Sequence, residues 1–330
     1  MIVHGDCLEV MKRFPDNYID FICCDPPYGL NFMGKKWDSA IPNSEIWSEC
    51  LRICKPGSML AAFGGSRTHH HLMMALEQAG WEIRDVIMYL YGQGFPKSHN
   101  KFGLDGYGTA LKPAYEPIII CMKPLDGTYA QNVEKWDIGG INIDDSRIEG
   151  NKRKVGCINP GKRSEGSSEW NKSSLGKQRE VDLTKGRWPA NIILDEEAGV
   201  LLDHQSGILK SGHLRQNINT ESKNNVYGKK KCANVNEFKS STGGASRFFY
   251  CAKASSKERG NENHHPTVKP ISLMRYIIKL LAPPNNPVLL DPFCGSGSTL
   301  IAAKELGIEA IGIEREEDYC EIAKKRVQNF

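Results

Sequence analysis

Short apolar runs alternate with amphipathic stretches over the first 123 residues. Phe21-Ile22-Cys23-Cys24 is apolar throughout and stops at Asp25, the pattern of a short buried strand. Glu45 to Ile53 repeats its apolar positions at helical spacing and ends before Lys55-Pro56-Gly57. Ser58 to Phe63 predicts a second strand, broken by Gly64-Gly65, and Thr68 to Ala79 a helix closed by Gly80. Glu82 to Tyr91 and Ile118 to Met122 predict two more strands. The alternation resumes at Arg247 to Cys251. A helix over Ile271–Leu281 follows Lys269-Pro270, and a strand over Val288–Leu290 runs into Asp291. Ser298–Leu306 and Asp318–Val327 predict helices, with a strand over Ala310–Ile313 between them. Strands alternating with helices predict an α/β fold with a doubly wound sheet.

Residues 124–246 break this pattern. They are rich in Gly, Asn, Ser and Lys, and Asn191–Leu194 and Gly199–Leu202 are the apolar exceptions. A structureless loop of that length does not belong inside a compact domain. The chain therefore divides into a discontinuous domain, 1–123 with 247–330, and an inserted recognition region, 124–246, that orders against a partner.

Charge sharpens that division. The net charge of +4 is mild, but Lys and Arg crowd the stretch from Lys152 to Arg187 and recur at Lys229, Lys230 and Lys231. Such clusters are either solvated loop charge or a phosphate-contacting surface. At 40% hydrophobic and 25% charged, the composition is that of an ordinary globular protein. No apolar run is long enough to span a membrane, and the first residues lack the basic and apolar regions of a signal peptide. The 11 cysteines are scattered without a Cys-x-x-Cys pair, which favours reduced thiols in the cytoplasm over a disulfide framework or zinc site. His69-His70-His71 occupy consecutive positions and point in different directions on a helix, so no metal is expected there.

Two segments carry chemistry. Asp291-Pro292-Phe293-Cys294-Gly295-Ser296-Gly297-Ser298 joins a strand to a helix, where unpaired N–H groups and small residues let a ligand approach the backbone. Glu314 ends the next strand, where a carboxylate can accept from both hydroxyls of a ribose. Leu300 stands where a dinucleotide fingerprint has its third glycine, which argues for an adenosine-type cofactor other than NAD. The second segment is Asp25-Pro26-Pro27-Tyr28. Its prolines fix φ and remove two donors. Carbonyls and the Asp25 carboxylate then face outward as acceptors beside the flat face of Tyr28, a setting for a planar group bearing an exocyclic amine.

Asp-Pro-Pro-Tyr together with Phe-x-Gly-x-Gly resembles the signature pair of the S-adenosylmethionine-dependent DNA amino-methyltransferases. The catalytic motif precedes the cofactor motif with the variable region between them, as in the β class. His265-Pro266-Thr267-Val268-Lys269-Pro270 and His4-Gly5-Asp6-Cys7 are similar to two further motifs of that class. The likeness covers roughly residues 1–123 and 247–330, and the insert carries no transferable specificity. It implies a circularly permuted, Rossmann-like mixed sheet and S-adenosyl-L-methionine as cofactor. Asp25, Pro26, Pro27 and Tyr28 would be catalytic. Asp6 would meet the adenine end of the cofactor, Glu314 its ribose, Thr267 and Lys269 its carboxylate. Phe293, Gly295 and Gly297 would wrap its methionine part, with Asp291 and Ser298 in the same turn and Asp25 close to its amino group. Tyr89, Tyr91 and Phe95 are candidates for a second wall around the base. The resemblance further implies double-stranded DNA as partner, a flipped-out base, and a role in restriction-modification or a prophage. Asp at the head of the tetrapeptide is the form common among adenine-N6 enzymes; cytosine N4 is the alternative target. RNA or protein-glutamine methylation, and DNA binding without catalysis, are rival functions. A homodimer and a restriction endonuclease partner both stay open.

Overall fold

Alternate residues of one strand show how the chain makes its layers. Phe21 and Cys23 point into one buried cluster, with Ile277, Ile278 and Ile301, while Ile22 and Cys24 point into another, with Trp47, Leu72 and Leu76. A strand buried on both faces needs helices above and below it. The computed structural model describes residues 1–31, 34, 36–94, 98, 103–149, 153–155, 181–183, 186–210, 242–253, 263 and 268–330. Phe95, Thr267, the His265-Pro266 pair, the 229–231 lysines and most of the basic stretch after Lys152 lie outside these residues.

The elements run β1 (Ile2–His4), α1 (Cys7–Met11), β2 (Ile19–Cys24), α2 (Ser44–Ile53), β3 (Cys54–Phe63), α3 (His69–Gln78), β4 (Glu82–Leu90), β5 (Tyr115–Met122) and α4 (Tyr129–Trp136). They continue with β6 (Arg153–Val155), β7 (Val181–Leu183), β8 (Ile192–Asp195), α5 (Glu196–Ser206), β9 (Leu209–Lys210), β10 (Thr242–Gly243) and β11 (Tyr250–Ala252). The last are α6 (Ile271–Leu281), β12 (Val288–Asp291), α7 (Ser298–Glu305), β13 (Glu309–Glu314) and α8 (Glu317–Asn329).

Among the described residues nine strands form one sheet, ordered β1-β13-β12-β2-β3-β5-β4-β8-β11. The five from β1 to β3 are mutually parallel, and β5 lies antiparallel between β3 and β4. This is the doubly wound mixed α/β sheet of the Rossmann-like type. Its topology puts β12, late in the sequence, directly beside β2, so both chemistry-bearing segments leave the same edge of the sheet.

The chain forms two units, Met1–Ser146 with Pro189–Leu201 and Phe249–Phe330, and Arg147–Trp188 with Leu202–Phe248. This corrects the boundaries expected at 123 and 247. The apolar Ile192–Asp195 run becomes β8, which pairs with β4 and β11 in the large sheet. The Thr128 capping box starts α4 within the larger unit, and its Asn132 is fully buried, donating to the carbonyls of Pro56 and Ile138. In the smaller unit β6 pairs with β7 and β9 with β10, both antiparallel. There the Arg187 guanidinium lies 5.0 Å from the Phe248 ring centre, and that of Arg147 lies 5.3 Å from Trp188. No helix among the described residues is long and apolar enough to cross a membrane. The described cysteines are free thiols, all buried except Cys251.

Candidate active site

Four acidic residues follow the carboxyl ends of four neighbouring parallel strands. Asp6 comes after β1, Glu314 ends β13, Asp291 ends β12 and Asp25 follows β2. That edge is where open α/β sheets bind ligands. All four line one cavity of about 1260 Å³, together with Pro26, Pro27, Tyr28, Lys269, Phe293, Gly295 and Ser298. Gly297 stands behind the lining as the N-cap of α7, and Thr267 lies outside the described residues. Of the aromatic second wall, Tyr91 lines the cavity, whereas Tyr89 belongs to the core.

The glycine turn is held from behind. Gly295 and Gly297 have φ of 51° and 82°, the left-handed region that side chains with a Cβ disfavour. A Cβ on Gly297 would also lie 3.1 Å from that of Ala323 on α8. The Arg326 guanidinium of α8, itself buried, donates to the Ser296 hydroxyl at 2.9 Å. Leu300 packs where Gly312 leaves space: a Cβ at Gly312 would meet Leu300 Cδ1 at 2.6 Å. The space for a Cβ at Gly297 and Gly312 is thus taken up by packing behind the turn, while Gly295 lines the cavity. Glu314 accepts from the N–H groups of Gly295 and Glu316, both at 2.8 Å. Burial raises its pKa, and those N–H groups oppose the rise. A carboxylate has about four lone-pair sites, so acceptor capacity remains for hydroxyls. Asp6 Oδ1 caps α1, accepting from the N–H of Leu8 at 3.0 Å and of Glu9 at 3.4 Å. Asp291 is almost wholly buried. Burial pushes its carboxyl up to about 7, against hydrogen bonds from Thr299 and the Phe293 N–H. Bare backbone beside these acceptors suits an adenosine-type ligand bearing a ribose and an amino-acid tail.

The opposite wall is the tetrapeptide. The Tyr28 hydroxyl donates to Asp25 Oδ1 at 2.8 Å, and Lys269 Nζ donates to Asp25 Oδ2 at 2.7 Å. Burial first, then the Asp25 and Glu116 charges, push the Tyr28 phenol well above its ordinary range, so it stays protonated as a donor. Lys269, expected at a cofactor carboxylate, is placed against Asp25 and, at 3.5 Å, Glu116.

Two residues of this wall were not singled out from sequence. Asp38, 2% exposed, accepts from three successive backbone N–H groups: Tyr28 at 2.6 Å, Gly29 at 3.0 Å and Leu30 at 3.2 Å. It fixes the path of the chain just after the tetrapeptide. Glu116 is the second residue of β5, whose antiparallel direction brings its amino end to the same sheet edge. A negative residue after an aromatic-rich loop was the available signal for Asp38; Glu116, at the head of an apolar strand, offered less. Among the described residues no group of His, Cys, Asp and Glu could hold a metal ion. His69 instead places Nδ1 3.2 Å from the Gly65 carbonyl oxygen.

A family model described as DNA methylase matches residues 19–325 of this chain. The Type II methyltransferase M.HinfI of Haemophilus influenzae is 36% identical over 352 residues, covering 100% of this chain and 68% of that protein. The Type II methyltransferase M.HindIII, also of Haemophilus influenzae, is 24% identical over 387 residues, covering 99% and 94%. Among solved structures, the cytosine-N4-specific PvuII DNA methyltransferase superposes with a TM-score of 0.53 at 13% identity, covering 98% of this chain and 85% of that one. At that identity the likeness is one of fold.

Proposed function

The chain belongs to the DNA methylase family, and we propose that within it this enzyme transfers a methyl group from S-adenosyl-L-methionine to the N6 amine of an adenine flipped out of duplex DNA. The observation that carries the reading is the single cavity with the glycine turn and Glu314 on one wall and Asp25-Pro26-Pro27-Tyr28 on the other. Bound against Phe293 and Gly295, with Gly297 behind them as the N-cap of α7, Glu314 at its ribose and Asp6 at its adenine end, S-adenosylmethionine would supply an electrophilic methyl group on a sulfonium.

The target amine is a poor nucleophile because its lone pair is conjugated into the ring. Asp25 and the Pro26 carbonyl accept from its two N–H bonds and draw the nitrogen towards tetrahedral geometry, which frees the lone pair. Tyr28 receives the ring by stacking. Pre-placed acceptors stabilise the positive charge that grows on nitrogen without reorganising during reaction. A base inside a duplex cannot enter such a cavity, so it leaves the stack at a cost of a few kcal/mol. Asp at the head of the tetrapeptide supports adenine over cytosine. The basic character of the smaller unit supports its role as the target-recognition region. The Type II designation of the relatives supports a place in restriction-modification beside an endonuclease.

The test is incubation of the purified protein with methyl-labelled S-adenosylmethionine and unmethylated duplex DNA, followed by digestion to nucleosides. N6-methyladenine is expected. N4-methylcytosine would overturn the choice of base, and label in RNA or protein with none in DNA would overturn the reaction itself.

A further inference from the structure

Lys269 Nζ serves two carboxylates at once. It lies 2.7 Å from Asp25 Oδ2, 3.5 Å from Glu116 Oε2 and 3.1 Å from the Tyr28 hydroxyl. The rings of Phe63 and Tyr28 stand 5.1 Å and 5.4 Å from it. Its side chain is 10% exposed, those of Asp25 and Glu116 21% and 27%, so water screens the three charges poorly. Burial works to lower the pKa of Lys269, but the Asp25 and Glu116 charges outweigh it and hold the ammonium above its ordinary range. Two carboxylates and one ammonium leave a net negative charge at the wall of the cavity.

Methyl transfer makes the target nitrogen cationic. A lysine paired with Asp25 alone would neutralise the acceptor on which that nitrogen depends, and would itself repel the growing charge. We infer that Glu116 is a positioning residue of the methyl-transfer site: by sharing the Lys269 ammonium, it leaves Asp25 able to stabilise the reacting amine. The inference rests on the reading above, in which Asp25 accepts from that amine. Lys269 in turn holds Asp25 in place, with the Tyr28 hydroxyl on its other oxygen. The groups facing Lys269 are Asp25 and Tyr28 after β2, Glu116 on β5 and Tyr91 after β4, with Phe63 of β3 as the apolar side.

The test compares wild type, Glu116→Gln and Glu116→Asp as full chains, by single-turnover methylation of duplex DNA across pH and by calorimetric affinity for S-adenosylmethionine. Methyl transfer moves the positive charge from the sulfonium to the nitrogen, nearer Glu116, so losing that carboxylate slows the chemical step by about threefold to fivefold in Glu116→Gln at an effective dielectric of about 20. Affinity for the cationic cofactor falls as well, by up to roughly tenfold by the same reasoning, since its sulfonium must lie within reach of that nitrogen. The alkaline limb of the rate profile moves to lower pH, because Lys269 has lost one of the two charges that hold its proton. Glu116→Asp recovers most of the rate with little movement of that limb. A wild-type rate and profile in Glu116→Gln overturns the inference. So does a Glu116→Asp as slow as Glu116→Gln with neither limb shifted, which would mean shape and not charge. If Glu116→Gln does not fold, Glu116→Asp decides alone, and a loss of more than about tenfold at an unshifted limb overturns the charge role. Wild type that fails to methylate DNA overturns the underlying reaction; wild type that succeeds beside an unaffected Glu116→Gln overturns only the role of Glu116.

Discussion

Replacing Asp38 tests whether three hydrogen bonds hold the chain in shape at Tyr28 and just after it. Its Oδ1 accepts from the N–H groups of Tyr28 and Gly29, and its Oδ2 from that of Leu30. A hydrogen bond to a charged group contributes about 1.5–3 kcal/mol. Tyr28, Gly29 and Leu30 are half-buried, so water can take over part of what is lost and the lower figure applies. Asp38→Ala then removes roughly 4 kcal/mol. Asp38→Asn keeps the oxygen that serves Tyr28 and Gly29 but turns an NH2 towards the Leu30 N–H, which costs roughly 2 kcal/mol. Equilibrium unfolding in urea reads these as graded shifts in midpoint, with asparagine about halfway. Methyl transfer to DNA should fall in the same order, because Tyr28 loses its fixed place, while affinity for S-adenosylmethionine on the other wall stays near wild type. Equal stability of both variants with wild type, or unchanged transfer by Asp38→Ala, would refute the reasoning.

Asp291 gives stability a pH dependence of known sign. Its carboxyl is raised from 3.8 to about 7 in the folded chain, so the folded state holds a proton that the unfolded state releases. Stability from this group is present at low pH, falls as pH rises from about 4 to 7, and amounts to roughly 4 kcal/mol in all. Asp291→Asn should therefore unfold at higher urea than wild type at pH 8 and lose that advantage at pH 4; an equal loss of stability at both would contradict the assignment. DNA binding should weaken steeply with salt, because Lys and Arg outnumber Asp and Glu by more than two to one in residues 147–188 and 202–248, against 43 to 39 in the whole chain. A slope of about −0.9 per phosphate contact is expected in filter-binding titrations, and a flat response would remove those segments from the interface.

Asp25, Asp291 and Glu314 were legible because each ends or follows an apolar run that the structure makes a buried parallel strand. The strongly amphipathic α6 runs over Ile271–Leu281 as its periodicity predicted. What escaped depends on partners far away in the chain. β1 has three residues, too few to show a period, and exists because it pairs with β13. The β8 run was visible as apolar, but nothing local said that it would pair with β4 and pull 189–201 out of the insert. Asp38 matters through backbone donors eight to ten residues back, and Glu116 through a lysine just before α6. The second oxygen partners of Asp25 are likewise set by how the walls meet, which no motif encodes.

The interleaved strand order also governs how this chain must be made. β12 and β13 lie between β1 and β2, yet they are the last two strands in the sequence. On the ribosome, β2 waits with one edge unpaired until residues 288–291 emerge, and β1 waits longer still for 309–314. An apolar strand with an open edge is a template for pairing with other chains. The nascent protein carries that exposure through most of its synthesis, and the closing of the sheet coincides with the arrival of the glycine turn and Glu314. Closure of the sheet and completion of the cavity are thus one late event.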